Sequence, residues 1–388
     1  MKRLTLIYFL LSMIQIILKG QSSQTLSGGM FHTLYLCKNG TVFSWGDNSY
    51  GQLGRNPEKA EDINPGIVAG LMNIKVICAG KGNFSLAVKN DGSLWSWGQN
   101  SQWQLGTDTA CTTWSKCDYT DVPVQVKGGE TGSHFLNNVI DCAAGLTQSY
   151  ALLSTGEVVA WGDNYNGQLG NGTNVRTKEP VYILKKDGTK LINVKHIAAG
   201  ALFAFAISND GKVWGWGKNT EYEFGCGNNQ NQLFATEIID INGNQLENIA
   251  SISCGLKHAI FLTQQGQVLG TGAYKGETWI NGTTYYNLVG YASLLADISN
   301  VKKIASGLNH NILMAETTMG DTLAYTLGNN KYFPMTAPAS GGQLGINQET
   351  VLTTTSPLVV KTGINSIPEK VSSVFCNNFG SFVQTYNR

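Results

Sequence analysis

Hydrophobic and polar residues alternate in short segments along this chain, and the same pattern returns after about 55 residues. The segment 28–54, GGMFHTLYLCKNGTVFSWGDNSYGQLG, contains two alternating runs, HTLYL and TVFSWG. An alternation with a period of two predicts β-strands that each bury one face. Asn39-Gly40 separates the two runs. We expect a hairpin with a type I′ turn there, because both residues readily adopt positive φ angles.

Six copies of this unit follow one another along the chain. Each copy begins with a glycine after a short apolar strand, where the backbone turns and a Cβ would clash. These lead glycines are Gly29, Gly80, Gly145, Gly200, Gly255 and Gly307. In the first four copies the third strand ends in Trp-Gly, and we expect the indole to be part of the core. The four tryptophans are Trp45, Trp97, Trp161 and Trp216.

A row of large apolar side chains cannot be buried by one small sheet, so each copy must be covered by the next one. Radial stacking also protects the strand edges, and it predicts an all-β fold, a β-propeller over residues 21–388. After the sixth unit only one hairpin remains, at 371–385. We therefore expect six full repeats and a partial seventh, in a ring of seven blades or, alternatively, six with a shared strand.

The repeat resembles the regulator of chromosome condensation repeat family. The family motif runs from an apolar strand and Gly-x-x-His through Asp-Gly and Trp-Gly strands to Asn-x-x-Gly-Gln-Leu-Gly. Units one to four match it well, and the resemblance covers residues 24 to 388. It implies a seven-bladed β-propeller. Units five and six depart from the motif, because Thr271 and Leu327 stand where the tryptophan belongs.

Composition supports a folded domain and argues against binding by bulk charge. The chain has 388 residues, 46 glycines and 42% hydrophobic residues, which is enough apolar material for a core. Its formal net charge is only +1. A nearly neutral chain has no general attraction for phosphate backbones, so we expect no nucleic-acid partner.

Residues 1–20, MKRLTLIYFLLSMIQIILKG, combine early cations with an apolar run. A helix over 4–18 would be about 22 Å long, shorter than the roughly 30 Å hydrocarbon core of a bilayer. We therefore expect a signal peptide and a place in the secretory pathway, extracellular or luminal. The alternative is a retained anchor that contacts a membrane, including an organelle membrane such as the mitochondrial one.

Motifs for catalysis are absent from the sequence, which contains no GxxxxGK[ST], GxSxG or HExxH. We therefore expect no enzymatic activity and no cofactor. Three histidines, His32, His258 and His310, occupy the same slot of the repeat. Phe or Gln fills that slot in the other copies, so we interpret these histidines as structural hydrogen-bonding groups and not as metal ligands.

Two insertions carry the candidate partner-binding residues. One presents Trp114 and Tyr119 next to Trp103, which replaces a glycine of the repeat, and the other presents Tyr332 and Phe333. Exposed aromatic residues on loops are plausible anchors for a protein partner. The alternative is that they pack onto the rim of the propeller.

Cysteines within the repeats, such as Cys78 and Cys142, are interpreted as small buried hydrophobic residues. Cys111 and Cys117 differ because they lie in the polar stretch CTTWSKC. They are candidates for a disulfide if the compartment is oxidising.

These observations predict a non-catalytic β-propeller that binds a protein through a propeller face or its inserted loops. We expect a secreted or luminal scaffold, or an accessory subunit of a membrane-associated complex. The resemblance implies two alternatives. One is guanine-nucleotide exchange on a small GTPase, and the other is inhibition of a secreted enzyme.

Overall fold

Seven groups of antiparallel strands form a closed ring in a computed structural model of the chain. The structure describes residues 25–55, 58–107, 119–240, 242–273, 277–280, 283–286, 289–295, 298–329, 353–359, 371–377 and 380–385. The targeting segment predicted at 1–20 lies outside these ranges. Across the described parts of the chain, no helix has the length and apolar character needed to span a membrane.

The first three blades are four-stranded sheets in which the strands follow chain order. The first blade consists of β1 (Thr25–Gly28), β2 (His32–Leu36), β3 (Val42–Asp47) and β4 (Glu61–Ile67). The second consists of β5 (Ile74–Ala79), β6 (Phe84–Lys89), β7 (Leu94–Gln99) and β8 (Tyr119–Gln125). The third consists of β9 (Val139–Ala144), β10 (Gln148–Leu153), β11 (Val158–Gly162) and β12 (Thr177–Tyr182). A short 3-10 turn precedes the third blade, at Gly129–Thr131.

The next three blades repeat this order, and the fifth carries an extra hairpin. The fourth consists of β13 (Val194–Ala199), β14 (Phe203–Ser208), β15 (Val213–Gly217) and β16 (Gln232–Glu237). The fifth consists of β17 (Ile249–Cys254), β18 (His258–Thr263), β19 (Val268–Gly272) and β22 (Val289–Leu294), with the hairpin of β20 (Glu277–Ile280) and β21 (Thr283–Tyr286) before β22. The sixth consists of β23 (Val301–Ser306), β24 (His310–Glu316), β25 (Thr322–Asn329) and β26 (Thr353–Val359).

A final hairpin closes the ring. It consists of β27 (Val371–Asn377) and β28 (Gly380–Thr385), and β27 packs against β23 of the sixth blade on one side and β1 of the first on the other. The first strands of successive blades pack against one another around the ring in the same way. The described strands thus form six four-stranded blades and one two-stranded hairpin between the sixth blade and the first, which confirms the all-β propeller fold.

The hairpin turns differ from the type I′ turns that the sequence predicted. In the first blade Gly40 has a φ of 79°, but Asn39 is not among the residues with positive φ. The backbone bonds are instead those of a type I turn with a G1 bulge, since Gly40 N–H donates to Cys37 O and Cys37 N–H donates to Thr41 O. The Asn39 side chain accepts the Thr41 N–H at 3.1 Å, so this side chain stabilises the turn without a left-handed backbone.

Left-handed asparagines mark a position that the sequence analysis missed. One such residue precedes the first strand of blades two to six, at Asn73, Asn138, Asn193, Asn248 and Asn300. The residue after each asparagine donates its N–H to the turn glycine of the preceding blade, for example Val194 to Gly156 at 3.0 Å. This bond joins neighbouring blades. The signal was readable, because an Asn followed by Ile or Val recurs in every one of these connections.

The repeat residues predicted to form the core are buried where adjacent blades meet. Trp97, Trp161 and Trp216 are fully buried, whereas Trp45 in the first blade is half-buried. At the lead glycine Gly255, a Cβ would overlap the His258 ring, so the close approach requires glycine. The N–H of every lead glycine donates to the carbonyl of the residue in the histidine slot.

An asparagine after each Trp-Gly anchors the loop between the third and fourth strands. In the first blade, Asn48 Oδ1 accepts the Leu53 N–H at 3.0 Å, and Asn48 Nδ2 donates to the carbonyls of Arg55 and Lys59. Leu53 is fully buried, so this leucine attaches the loop to the core. Equivalent amide bonds recur in the next three blades, from Leu105 to Asn100, Leu169 to Asn164 and Phe224 to Asn219.

Candidate protein-binding face

The two faces of the ring differ in the connections that they carry. In an antiparallel blade, the loops after the first and third strands lie at one end, which we call the loop face. The tight turns after the second strand and the connections to the next blade lie at the opposite end, which we call the turn face. Trp103 and Tyr119, at the two ends of the long β7–β8 connection, belong to the loop face.

Trp103 has an unusual backbone for a bulky residue. Its φ is 66°, in the left-handed region, where the equivalent positions in the first and third blades hold Gly51 (φ 72°) and Gly167 (φ 78°). For a residue with a Cβ, this conformation costs about 1–2 kcal/mol. Two backbone bonds hold the turn, from Trp103 N–H to Asn100 O and from Gly106 N–H to Trp103 O. The loop therefore presents an indole at a position that suits glycine.

An arginine from the next blade covers the Trp103 ring. The Arg176 guanidinium carbon lies 4.1 Å from the centre of the indole, which is a cation–π arrangement. Arg176 also donates to Gln102 Oε1 at 3.2 Å. We call these three residues, Gln102, Trp103 and Arg176, the Trp103 patch. Because Arg176 belongs to the third blade and the other two to the second, the patch spans the junction of these blades.

The Trp103 patch is accessible from solvent. The exposed fraction of the residue surface is 37% for Trp103, 42% for Tyr119 and 67% for Val175, which precedes Arg176. Two further exposed tyrosines of the loop face, Tyr50 and Tyr165, lie in the equivalent loops of the first and third blades. The loop face therefore carries several large side chains that the ring itself does not bury.

Part of the predicted site lies beyond the residues that the structure describes. This applies to Trp114, Tyr332 and Phe333, and also to the disulfide candidates Cys111 and Cys117. Arg176 and Gln102 were missed by the sequence analysis. The signal for Arg176 was its rarity, since it is one of four arginines in the chain.

A charged cluster occupies the equivalent loop of the fourth blade. Lys218 lies 3.4 Å from Glu221 and 3.5 Å from the buried Glu223, and Lys257 of the fifth blade lies 3.6 Å from Glu221. Burial raises the pKa of the Glu223 carboxyl. Opposite charges balance within the cluster, so it stabilises the loop and offers no unpaired charge to a ligand. Tyr222, between the two glutamates, shares the left-handed backbone of Trp103, with a φ of 60°.

The histidine slot is buried between blades. His32 Nε2 lies 3.0 Å from Ser85 Oγ of the next blade, and burial lowers its pKa to about 4. His258 Nε2 lies 2.9 Å from Asn311 Oδ1, and burial lowers its pKa to about 3. Both imidazoles are neutral at pH 7 and join adjacent blades. Within the described residues no group of three or more His, Cys, Asp or Glu could hold a metal ion.

Six four-stranded blades with recurring interblade bonds and a closing hairpin define a β-propeller of the repeat type that the sequence resembled. The chain belongs to the RCC1-like domain family, whose model matches residues 11–383. Propeller domains of this family serve as protein-interaction scaffolds or exchange factors.

Known proteins resemble this chain over different lengths. The E3 ubiquitin-protein ligase HERC2 of Homo sapiens is 26% identical over 259 residues, which are 63% of this chain but 5% of HERC2. The ultraviolet-B receptor UVR8 of Arabidopsis thaliana is 25% identical over 349 residues, 87% of this chain and 69% of the receptor. A crystal structure of Prp20p from Saccharomyces cerevisiae has a TM-score of 0.68 at 22% identity, over 92% of this chain and 81% of that one. This last likeness shows the fold.

Proposed function

We propose that this chain is a non-catalytic propeller that binds a protein partner through its loop face, with the Trp103 patch as the anchor. One observation carries the proposal: a tryptophan occupies a left-handed position where two other blades have glycine, and its ring stays partly exposed. Strained positions persist where the surroundings enforce them, and they cluster at functional sites. Trp and Arg are also the residues most enriched among interface hot spots.

The partner's chemistry follows from the patch. The indole offers a flat apolar surface, and Arg176 offers donors that pair with carboxylates. A partner with an apolar side chain next to an acidic one would match both groups. Burial of the indole on binding would also strengthen the cation–π contact, because desolvation increases its contribution.

A glycine substitution tests this proposal. In Trp103→Gly the backbone keeps its left-handed conformation without strain while the indole is removed, so we expect unchanged or slightly higher stability. The full chain and this variant would be used as matched baits, with Met72→Ala on the turn face as a control. Met72 is 72% exposed. Partners enriched by the wild type and by Met72→Ala should be lost with Trp103→Gly.

The decisive measurement is the affinity of an identified partner. We expect Trp103→Gly to weaken the Kd about tenfold or more, and Met72→Ala to leave it unchanged. An equal Kd for Trp103→Gly and the wild type would overturn the assignment of the patch. Weakening by Met72→Ala alone would instead place the partner on the turn face.

Nucleotide exchange on a small GTPase is the second candidate function. The related fold of Prp20p has been described together with its binding properties to Gsp1p and histones. Release of labelled GDP from a panel of small GTPases tests this candidate, and acceleration by the wild type would favour it. Titration of the chain into secreted enzymes, followed by their activity, tests the inhibitor alternative in parallel.

We also propose that residues 1–20 direct the chain into the secretory pathway. The intact mass of the native protein, with and without glycosidase, tests this. A start near Gln21 together with a glycan loss supports the proposal. A glycan-free chain that retains Met1 would instead indicate an anchored form.

A further inference from the structure

Two cysteines meet where the second and third blades pack together. Cys78 lies in β5 and Cys142 in β9, and these two strands are neighbours in the ring. The two residues are 64 positions apart in the sequence, but Cys78 Sγ lies 2.7 Å from the carbonyl oxygen of Cys142. Both side chains contact the same hydrophobic core, which includes Leu86 and Trp161.

The side chain of Cys78 also affects the titration of the Cys142 thiol. The pKa of the Cys142 thiol lies well above its usual range because the Cys78 side chain forms a hydrogen bond with it and because it is buried. Cys142 is only 3% exposed, whereas Cys78 is half-buried. Cys78 is therefore the thiol that is more accessible to a reagent in solvent, and Cys142 is its buried neighbour.

We propose that Cys78 and Cys142 form a disulfide that joins the second and third blades when the chain meets a small disulfide oxidant such as oxidised glutathione. The Cys78 thiolate attacks one sulfur of the oxidant, which breaks its S–S bond and releases one reduced thiol. The Cys142 thiol then loses its proton and attacks the Cys78 sulfur, which releases the second reduced thiol. The two protein thiols lose two electrons and two protons, and the oxidant takes up both.

The bond would connect blades that are otherwise held by packing and by hydrogen bonds of both backbone and side chains. On the loop face these bonds include Gly82 N–H to Gly145 O, at 3.2 Å. A disulfide across this junction closes a long loop, and closing a long loop restricts the unfolded chain. We expect oxidation to raise the melting temperature by roughly 5 °C. From the sequence alone these cysteines are interpreted as small buried hydrophobic residues, and nothing in the repeat pattern pairs them.

The test uses the full chain after equilibration in either dithiothreitol or oxidised glutathione. Remaining thiols are alkylated under denaturing conditions, and the chain is digested with trypsin. Cleavage after Lys75 and Lys81 releases the segment 76–81, and cleavage after Lys127 and Arg176 releases the segment 128–176. After oxidation we expect these two peptides to be cross-linked, with two fewer hydrogen atoms than their sum.

Variants separate this bond from other cysteine chemistry. Cys78→Ser should fold, because a half-buried position tolerates the hydroxyl. It should lose both the cross-linked peptide and the rise in melting temperature, because serine cannot form a disulfide. Cys37→Ser, at a half-buried position in a turn of the first blade, should leave both unchanged. Cys111 and Cys117 lie on peptides other than these two, so a bond between them would not be mistaken for this one.

Two results would overturn the proposal. In the first, both cysteines of the oxidised wild type are alkylated, or each carries its own glutathione, and no cross-linked peptide is found. In the second, the melting temperature rises equally in Cys78→Ser, which would assign the effect to other cysteines.

Discussion

At two junctions of the ring, different side chains donate a hydrogen bond to the equivalent backbone carbonyl of the preceding blade. Where the second and third blades meet, Trp161 Nε1 donates to the Gln104 carbonyl at 2.9 Å. Where the fourth and fifth blades meet, Thr271 Oγ1 donates to the Glu223 carbonyl at 2.7 Å. The repeat therefore requires a donor at this position more strictly than it requires an indole, since an unbonded buried carbonyl is expensive.

Several aromatic rings pack together beside the junction that lacks the indole. Phe224 replaces the leucine of the repeat, and its ring packs edge-to-face on Phe203 and Phe205. Phe205 in turn packs on Phe261 of the fifth blade. At the junction of the fourth and fifth blades, Thr271 therefore supplies a donor without supplying the volume of an indole.

At the junction of the third and fourth blades, a tyrosine supplies the donor to the equivalent carbonyl. In the third blade Tyr150 donates its hydroxyl to the Gln168 carbonyl at 2.6 Å, and Trp216 of the next blade packs edge-to-face on the Tyr150 ring. The acceptor at each of these positions is the equivalent backbone carbonyl. The donor is the indole of Trp161, the phenolic hydroxyl of Tyr150 or the aliphatic hydroxyl of Thr271. The departure of the fifth unit from the repeat is therefore a compensated change.

The largest expected effect comes from removal of the indole where it supplies both functions. Trp161→Ala should lower the free energy of unfolding by about 3–5 kcal/mol, because a fully buried ring and its donor are lost together. Urea unfolding of the full chain measures this. Trp161→Phe should lose less, since it keeps most of the volume. A loss below 1 kcal/mol for the alanine variant would refute the comparison.

Acid should destabilise the blade junctions that contain a buried histidine more than the junction that contains a glutamine in the same slot. His32 accepts a proton only near pH 4 in the fold, but near pH 6.5 when unfolded. Below pH 6.5 the unfolded chain therefore binds more protons than the folded chain does. As a result, the free energy of unfolding falls as the pH is lowered to about 4. This single group contributes about 3 kcal/mol to that fall.

Unfolding free energies measured between pH 7.5 and 4 would check this. His32→Gln should remove the His32 share of the fall, because Gln148 fills the same slot in the third blade. Identical pH profiles for the wild type and His32→Gln would contradict the assignment.

Loss of the hydroxyl alone isolates the donor at the fourth junction. Thr271→Val keeps the shape of the side chain but leaves the Glu223 carbonyl without this bond, so we expect a loss of about 1–3 kcal/mol. Thr271→Ser keeps the donor and should retain most of the stability. If valine is as stable as threonine in thermal unfolding, the donor is not required and the comparison fails.

The smallest effect concerns backbone strain in the loops. Trp103→Gly should be more stable than Trp103→Ala by about 1 kcal/mol, because both lack the indole and only alanine retains a strained Cβ. Gly167→Ala, at the equivalent position of the third blade, should be destabilised by at least as much. Chemical unfolding of the four proteins gives these differences. Equal stability of the two Trp103 variants would show that this position carries no strain.

Sequence patterns predicted the units of this ring better than the contacts between them. The lead glycines, the tryptophans and the six-and-a-half repeats could be identified because each pattern lies within about 30 residues. The contact of Arg176 with Trp103 could not, because it joins residues 73 positions apart in different blades. The Thr271 bond was missed for the same reason. The turn type was wrong because an Asn-Gly pair fits two turn geometries, and the twist of the hairpin decides between them.

The asparagine anchors at the start of the loops have a consequence for how such rings diversify. Asn48 and its counterparts fix the first residues after Trp-Gly, so a change further along the loop need not disturb the blade below. The loop from Asn100 to β8 is longer than its counterparts in the first, third and fourth blades, whereas the hairpin turns between the second and third strands have nearly the same length in every blade. Each anchored loop is therefore a natural cassette. New recognition segments can be exchanged there, by evolution or by engineering, while the ring keeps its diameter.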